Sequence, residues 1–288
     1  MQTRRIRAQS GVRFARPDDG RALWSNLPLA VVAMIVSGAL GASRNGAGTI
    51  DPSASPQPTS PTGATTPAGV GSGATAAPAP SSRPPLPGCR YGDEIAAHAG
   101  YGEWRRTIVD TMFRLPADYR PPDLVAGAQA GLAGGGSVRN VAIADLRELT
   151  RAARNAGARL AVQSAYRSAA RQATVFGGWV RVSGIVGARR FSARPGHSEH
   201  QLGTAIDFRA ARGGPPWNGD FASTPQGKWL AANAWRFGWI MSYPAGAQAD
   251  TCYSGEPWHF RYLGRPIAAE VHHSGLSLRA WLWRSSGQ

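Results

Sequence analysis

Lysine is almost missing from this chain. Lys228 is the single lysine among 32 basic residues, so the formal net charge of +15 at pH 7 is carried by arginine. Those arginines are scattered, with no zinc-finger or recognition-helix spacing, so nucleic acid is not the expected partner. A basic exported domain suits an anionic envelope polymer or lipid surface instead. Cysteine is scarce as well. Two residues, Cys89 and Cys252, exclude a disulfide-dense scaffold and a four-cysteine metal knot. A long apolar run is also lacking. The best candidate, LPLAVVAMIVSGALGA over 27–42, is sixteen residues, short of the about 20 that span a bilayer. Acids number 17 and histidines six, which makes any place where both gather worth attention.

What is present divides the chain. Residues 1–26 carry six arginines against two aspartates, a basic segment that stays cytoplasmic. The run 27–42 then reads as an uncleaved signal anchor, a membrane contact, or as the core of a cleaved signal peptide with a small-x-small site at Ala39-Leu40-Gly41. Residues 43–88 are Ser, Thr, Pro, Ala and Gly, with only Arg44, Asp51 and Arg83 charged. They bury too little apolar surface to offset chain entropy, so a disordered linker is expected. The globular domain is 89–288, placed outside the cytoplasm, either anchored to a membrane or secreted. There the two cysteines are expected to form a disulfide, with free thiols as the alternative.

Within that domain, "YGEWRRTIVDTMFRL" (101–115) has apolar residues at helical spacing, and "VRNVAIADLRELTRAARNAG" (138–157) has them more strongly. "RLAVQSAYRS" alternates like a strand, and "SAARQATVFGGWVRVS" continues as a helix capped by Ser168. "GTAIDFRA", "GWIMSY" and "WHFRYL" are strands. Between the first two, a helix is capped by Thr224, opened by Pro225 and stopped at Gly238. Strands and helices do not alternate strictly. The expected fold is α+β, helices packed on a small, mainly antiparallel sheet that carries the site.

The acids and histidines gather in "PGHSEHQLGTAIDF" (195–208). His200 and Asp207 are separated by Gly203, so a turn leading into a strand can make them converge. His259, in "SGEPWHFRY", is the third candidate. Two imidazoles and one carboxylate are a catalytic zinc set, one ion per chain, with a position left for water. Glu256 is then free to take a proton from that water. Residues three apart on a strand face opposite ways, so a turn or bulge must aim Glu256 and His259 together. His98, His272 and His273 are read as surface or hydrogen-bonded residues, and His197 as supporting or structural.

These residues resemble a known family. "SEHQLGTAID" is similar to the S-x-H-x-x-G-x-A-x-D signature of zinc D-alanyl-D-alanine carboxypeptidases, "EPWHFRY" to their E-x-W-H-x-R-Y element, and "SAYRS" with Gln172 to their S-x-Y-R-S-x-x-x-Q segment. The ordered set resembles the VanY-type branch, related in fold to lysostaphin and hedgehog domains. The resemblance implies zinc on His200, Asp207 and His259, and Glu256 as catalytic base. It also implies Arg167 as an active-site residue, with Gln172 and Ser198 in the substrate pocket. Tyr166 and Trp258 either line that pocket or pack the core. The implied reaction is removal of the C-terminal D-alanine from peptidoglycan stem peptides in a bacterial cell envelope, and the chain is expected to be a monomer. The alternatives are an L,D-carboxypeptidase or endopeptidase of the same fold and, from another class, a non-catalytic wall-binding zinc module.

Overall fold

The computed structural model describes residues 85–286. The basic segment, the apolar run and nearly all of the linker lie outside the described residues. Among those described, no helix is long and apolar enough to cross a membrane.

A four-stranded sheet organises the domain. In chain order its strands are β5 (Leu160–Ser164), β6 (Ala205–Ala210), β7 (Trp239–Met241) and β8 (His259–Tyr262). They lie side by side as β5-β6-β8-β7, every pair antiparallel. Two small pairs precede it: β1 (Glu94–Ile95) with β2 (Phe113–Arg114), and β3 (Leu124–Ala126) with β4 (Ser137–Arg139). Around the sheet run α1 (Ile143–Asn155), α2 (Ala169–Phe191), α3 (Pro225–Asn233), the one-turn α4 (Gln248–Thr251), α5 (Arg265–Ser274) and α6 (Leu278–Ser286). This is the expected α+β arrangement.

Alternation along β6 and β8 separates two jobs. Ile206, Phe208, Phe260 and Tyr262 face the main core, where Leu146 and Leu149 of α1 also pack. Phe208 meets Phe260 and Trp239 edge-on, with ring centroids 5.8 and 6.1 Å apart. Burying each such ring is worth about 1.5–3 kcal/mol. The intervening residues Asp207, His259 and Arg261 face the other way and are buried there too. Polar groups on a buried sheet face require partners, and those partners build the site.

Helix ends follow their caps. The Ser168 side chain accepts from the backbone N–H of Arg171 at the start of α2. Thr224 accepts from that of Gly227 at the start of α3, with Pro225 in the first turn. A second core gathers Ile108, Met112, Ile240, Leu263, Val271 and Leu282, with Trp281 and Trp283 against it. Cys89 and Cys252 are joined by a disulfide, which ties the start of the domain to the loop before β8.

Two expectations are corrected. Residues 101–115 form no helix but turns leading into β2. Trp104, Ile108, Met112 and Leu115 are all buried, so the apolar spacing was real. The backbone groups go elsewhere, however. Arg261 Nη2 donates to the carbonyls of Trp104 and Thr107, and the Asp110 carboxylate accepts from the N–H groups of Met112 and Phe113. These bonds replace a helical ladder. The helix expected from 138 starts only at Ile143, because Ser137–Arg139 pair with Leu124–Ala126.

Candidate metal centre

The centre is built from one turn and two adjacent strands. Asp207 of β6 and His259 of β8 are direct register partners, so their side chains rise from the same face of the sheet. His200 arrives on a single 3-10 turn, Glu199–Leu202, that ends at Gly203. Gly203 has φ 72°, and a Cβ there would lie 2.9 Å from Leu124 Cδ2 and 3.0 Å from Arg139 Cγ. Only glycine lets the chain turn there and enter β6 at once. His200 Nε2 is 3.1 Å from Asp207 Oδ2, and His259 Nδ1 is 2.9 Å from Asp207 Oδ1. All three side chains are buried, and one ligand atom from each lies within 4.8 Å of the others.

The outer nitrogens are already committed. His200 Nδ1 donates to the Ala165 carbonyl at 2.8 Å, which leaves Nε2 with its lone pair toward Asp207. A register shift in β5 between Val162 and Ser164 comes just before that carbonyl. His259 Nε2 donates to Glu199 Oε2 at 3.0 Å, which leaves Nδ1 facing inward. Glu199 is itself fixed by Arg261 Nη1 at 2.9 Å and Ser242 Oγ at 2.6 Å.

The electrostatics favour a cation. Burial alone would lower the pKa of His259, but Asp207 and Glu199 outweigh it and push it up to about 10. Burial would likewise raise Asp207, yet His200 and His259 hold it well below the ordinary carboxylate range. Burial lowers His200 to about 4, helped by the nearby Arg167 charge. A carboxylate pair that forces a proton onto one imidazole and leaves the other neutral is a setting a divalent cation would satisfy. The donor set of two nitrogens and one carboxylate suits zinc.

Glu256 meets the demand for a turn. The His259 N–H donates to the Glu256 carbonyl at 3.0 Å, closing a tight turn with Pro257 as its second residue. This brings Glu256 Oε2 to 3.7 Å from His259 Nδ1. Burial raises Glu256 to about 7, with Asp207 adding to the effect while His259 and Arg167 oppose it.

The remaining sequence candidates lie at varied depth. The Arg167 N–H donates to the His200 carbonyl and its Nη1 to Ser164 Oγ at 3.0 Å, while its buried Nε has no partner. Burial lowers its pKa, against the pull of Asp207 and Glu256. Gln172 is buried, its amide donating to the Ala193 carbonyl at 2.6 Å and its Oε1 without a partner. Ser198 is buried immediately before the His200 turn. Tyr166 and Trp258 are half-buried, Trp258 with its ring 6.1 Å from that of Trp217. His197 is outside the cluster, bonded to the Asp110 carbonyl and Asp93. Sequence reasoning missed Glu199, Arg261, Ser242 and Tyr243, whose ring lies 4.9 Å from that of His259. The available signal was Glu199 beside His200 and Arg261 two residues after His259, on the same strand face.

Comparison with known proteins agrees with this geometry. Residues 136–265 match the model of the VanY family, described as D-alanyl-D-alanine carboxypeptidase. YodJ of Bacillus subtilis is 35% identical over 178 residues, which are 60% of this chain and 65% of that protein. The chain thus spans slightly less than two thirds of that relative. The structure of an LdcB LD-carboxypeptidase is similar with TM-score 0.56 and 33% identity, over 63% of this chain and 86% of that one. A mutant of the vancomycin-resistance D,D-pentapeptidase VanY, in complex with Zn(II), matches with TM-score 0.53 and 31% identity, over 62% of this chain and 99% of that one. With one fold, the ordered motifs and a matching family model, the chain belongs to the VanY-type D-alanyl-D-alanine carboxypeptidase family.

Proposed function

We propose that the chain is a zinc-dependent carboxypeptidase that removes the C-terminal D-alanine from peptidoglycan stem peptides. The observation that carries this reading is the meeting of His200, Asp207 and His259 on one buried face, with Glu256 turned toward them. His200 Nε2, an Asp207 oxygen and His259 Nδ1 would hold one zinc ion. When bound, zinc supplies Lewis-acid chemistry, lowering the pKa of a water to about 7 and polarising a carbonyl.

The chain's own groups do the rest. Burial raises Glu256 in the metal-free site, a bound cation would draw it back down, and its place beside the three candidate ligands suits it to exchange a proton with a water there. Glu256 takes a proton from the attacking water and returns it to the departing amine of D-alanine. Arg167 offers a buried, unpartnered Nε–H in a rigid fork, suited to the substrate's terminal carboxylate or to the developing oxyanion. Gln172, Ser198, Tyr166 and Trp258 are proposed to shape the substrate pocket. The basic segment 1–26 and apolar run 27–42 would direct export, and 43–88 would tether domain 89–288 in the envelope.

A structural wall-binding site would normally be closed by four protein ligands. The cluster offers three with Glu256 beside it, which favours catalysis. The second reading is an L,D-carboxypeptidase, favoured by the likeness to the LdcB enzyme. Incubation of the zinc-loaded chain with defined pentapeptide and tetrapeptide stems separates the two. Release of D-alanine from the pentapeptide supports D,D cleavage. Release from the tetrapeptide alone supports L,D cleavage, and release from neither refutes both.

A further inference from the structure

The proposed chemistry makes no use of an apolar tip on helix α2. The helical path breaks at Gly184, whose φ of 68° is open to glycine. Around that break Val182, Ile185 and Val186 are 50%, 45% and 73% exposed, three large aliphatic side chains within five residues. Cations flank them. Arg181 is exposed beside Val182, and Arg189 and Arg190 follow Ile185 and Val186 by one turn on the same helical faces. The Arg189 guanidinium lies over the ring of Tyr91 at 4.3 Å, with Arg194 at 5.7 Å, and Tyr91 is itself 47% exposed. Between positions 149 and 198 the chain has nine arginines and not one Asp or Glu.

We infer that this tip docks on an anionic phospholipid bilayer. Val182, Ile185 and Val186 enter the boundary of the acyl region, and Arg181, Arg189 and Arg190 meet headgroup phosphates, with Tyr91 at the interface. An apolar wedge ringed by cations matches a layer that is negative outside and hydrocarbon within. A soluble polyanion would use the arginines but leave three aliphatic side chains in water. The docking is independent of which peptide bond the site cleaves.

The test uses the full chain with vesicles of phosphatidylglycerol or of phosphatidylcholine, read by amide hydrogen exchange. The apolar run at 27–42 can hold the chain on either lipid, so the readout is local to residues 180–191. Exchange there should slow severalfold on phosphatidylglycerol and remain fast on phosphatidylcholine. Val186→Asp should abolish the slowing, and Arg190→Gln should weaken the local contact about fivefold. Unchanged exchange over the rest of 85–286 would show that both variants remain folded. Equal slowing on both lipids, or none on either, would overturn the inference. So would slowing produced by peptidoglycan fragments or by raised protein concentration in place of phosphatidylglycerol.

Discussion

Replacing Glu199 probes how the candidate metal centre is held in place. This buried carboxylate receives three donors: His259 Nε2 and Ser242 Oγ at one oxygen, Arg261 Nη1 at the other. Burial would raise its pKa, but Arg261 and His259 outweigh that and hold it at about 2. Glu199→Gln keeps the volume but turns an amide N–H toward one of those donors. With the amide turned to Arg261, His259 keeps only a neutral, weaker acceptor for its Nε2 proton; with the amide turned to His259 it loses that acceptor, and either way Nδ1 is held less firmly for a metal. Changes to such supporting groups cost about 10–100-fold in metal affinity, or roughly 1.4–2.7 kcal/mol. Glu199→Ala goes further, leaving the Arg261 guanidinium, 0% exposed, without its counter-charge. Breaking a buried pair in this way costs about 3–5 kcal/mol. For a domain of this size that is a fall in Tm of roughly 6–20 °C. Competition with a chromophoric chelator measures the first effect, and melting of the zinc-free protein the second. A Gln variant that binds zinc as tightly as wild type, beside an Ala variant that melts at the same temperature, would refute the reasoning.

Three further outcomes are expected. Cys89 and Cys252 close a separation of 163 residues, so Cys252→Ser should lower stability by up to ~4–5 kcal/mol; an unchanged denaturation midpoint would contradict this. Arg167→Lys keeps the charge but loses the fork, and should lower kcat/KM about 10²–10³-fold with zinc retained, whereas wild-type kinetics would remove Arg167 from the reaction. Burial lowers His197 below its ordinary 6.5, so the unfolded chain takes up the proton first as pH falls. The stability tied to His197 is therefore complete above 6.5 and lost as pH drops through the lower folded value. Denaturant midpoints from pH 8 to pH 5 should fall less steeply for His197→Gln than for wild type, and equal slopes would exclude that histidine.

Part of the candidate ligand set was legible because its spacing is local, whereas His259 is 52 positions from Asp207, meets it only across the β6–β8 pairing, and came into view through its own motif beside Glu256. A glycine turn between His200 and Asp207, and a proline turn between Glu256 and His259, are written in consecutive residues. Helix α3 was legible for the same reason, through Thr224 and Pro225. What supports the ligands was not. Glu199 and Arg261 are 62 positions apart and meet only because β6 and β8 pair. Glu199 beside His200 and Arg261 two residues after His259 mark two positions near the ligands, but nothing in the spacing joins one to the other. The segment 101–115 misled in the opposite way. Its apolar residues keep helical spacing and are buried, but Arg261 and Asp110 capture its backbone groups. A periodicity records which side chains are buried, not which partner the peptide groups take.

The central claim is that His200, Asp207 and His259 hold the metal while Glu256 moves the proton. Glu256→Gln tests it most directly, with zinc content and release of D-alanine from a pentapeptide stem measured on the same preparation. The account predicts one zinc per chain, an unchanged Tm and a kcat lower by at least ~10²-fold. A variant that loses its zinc, or one that keeps its zinc and full turnover, would contradict it.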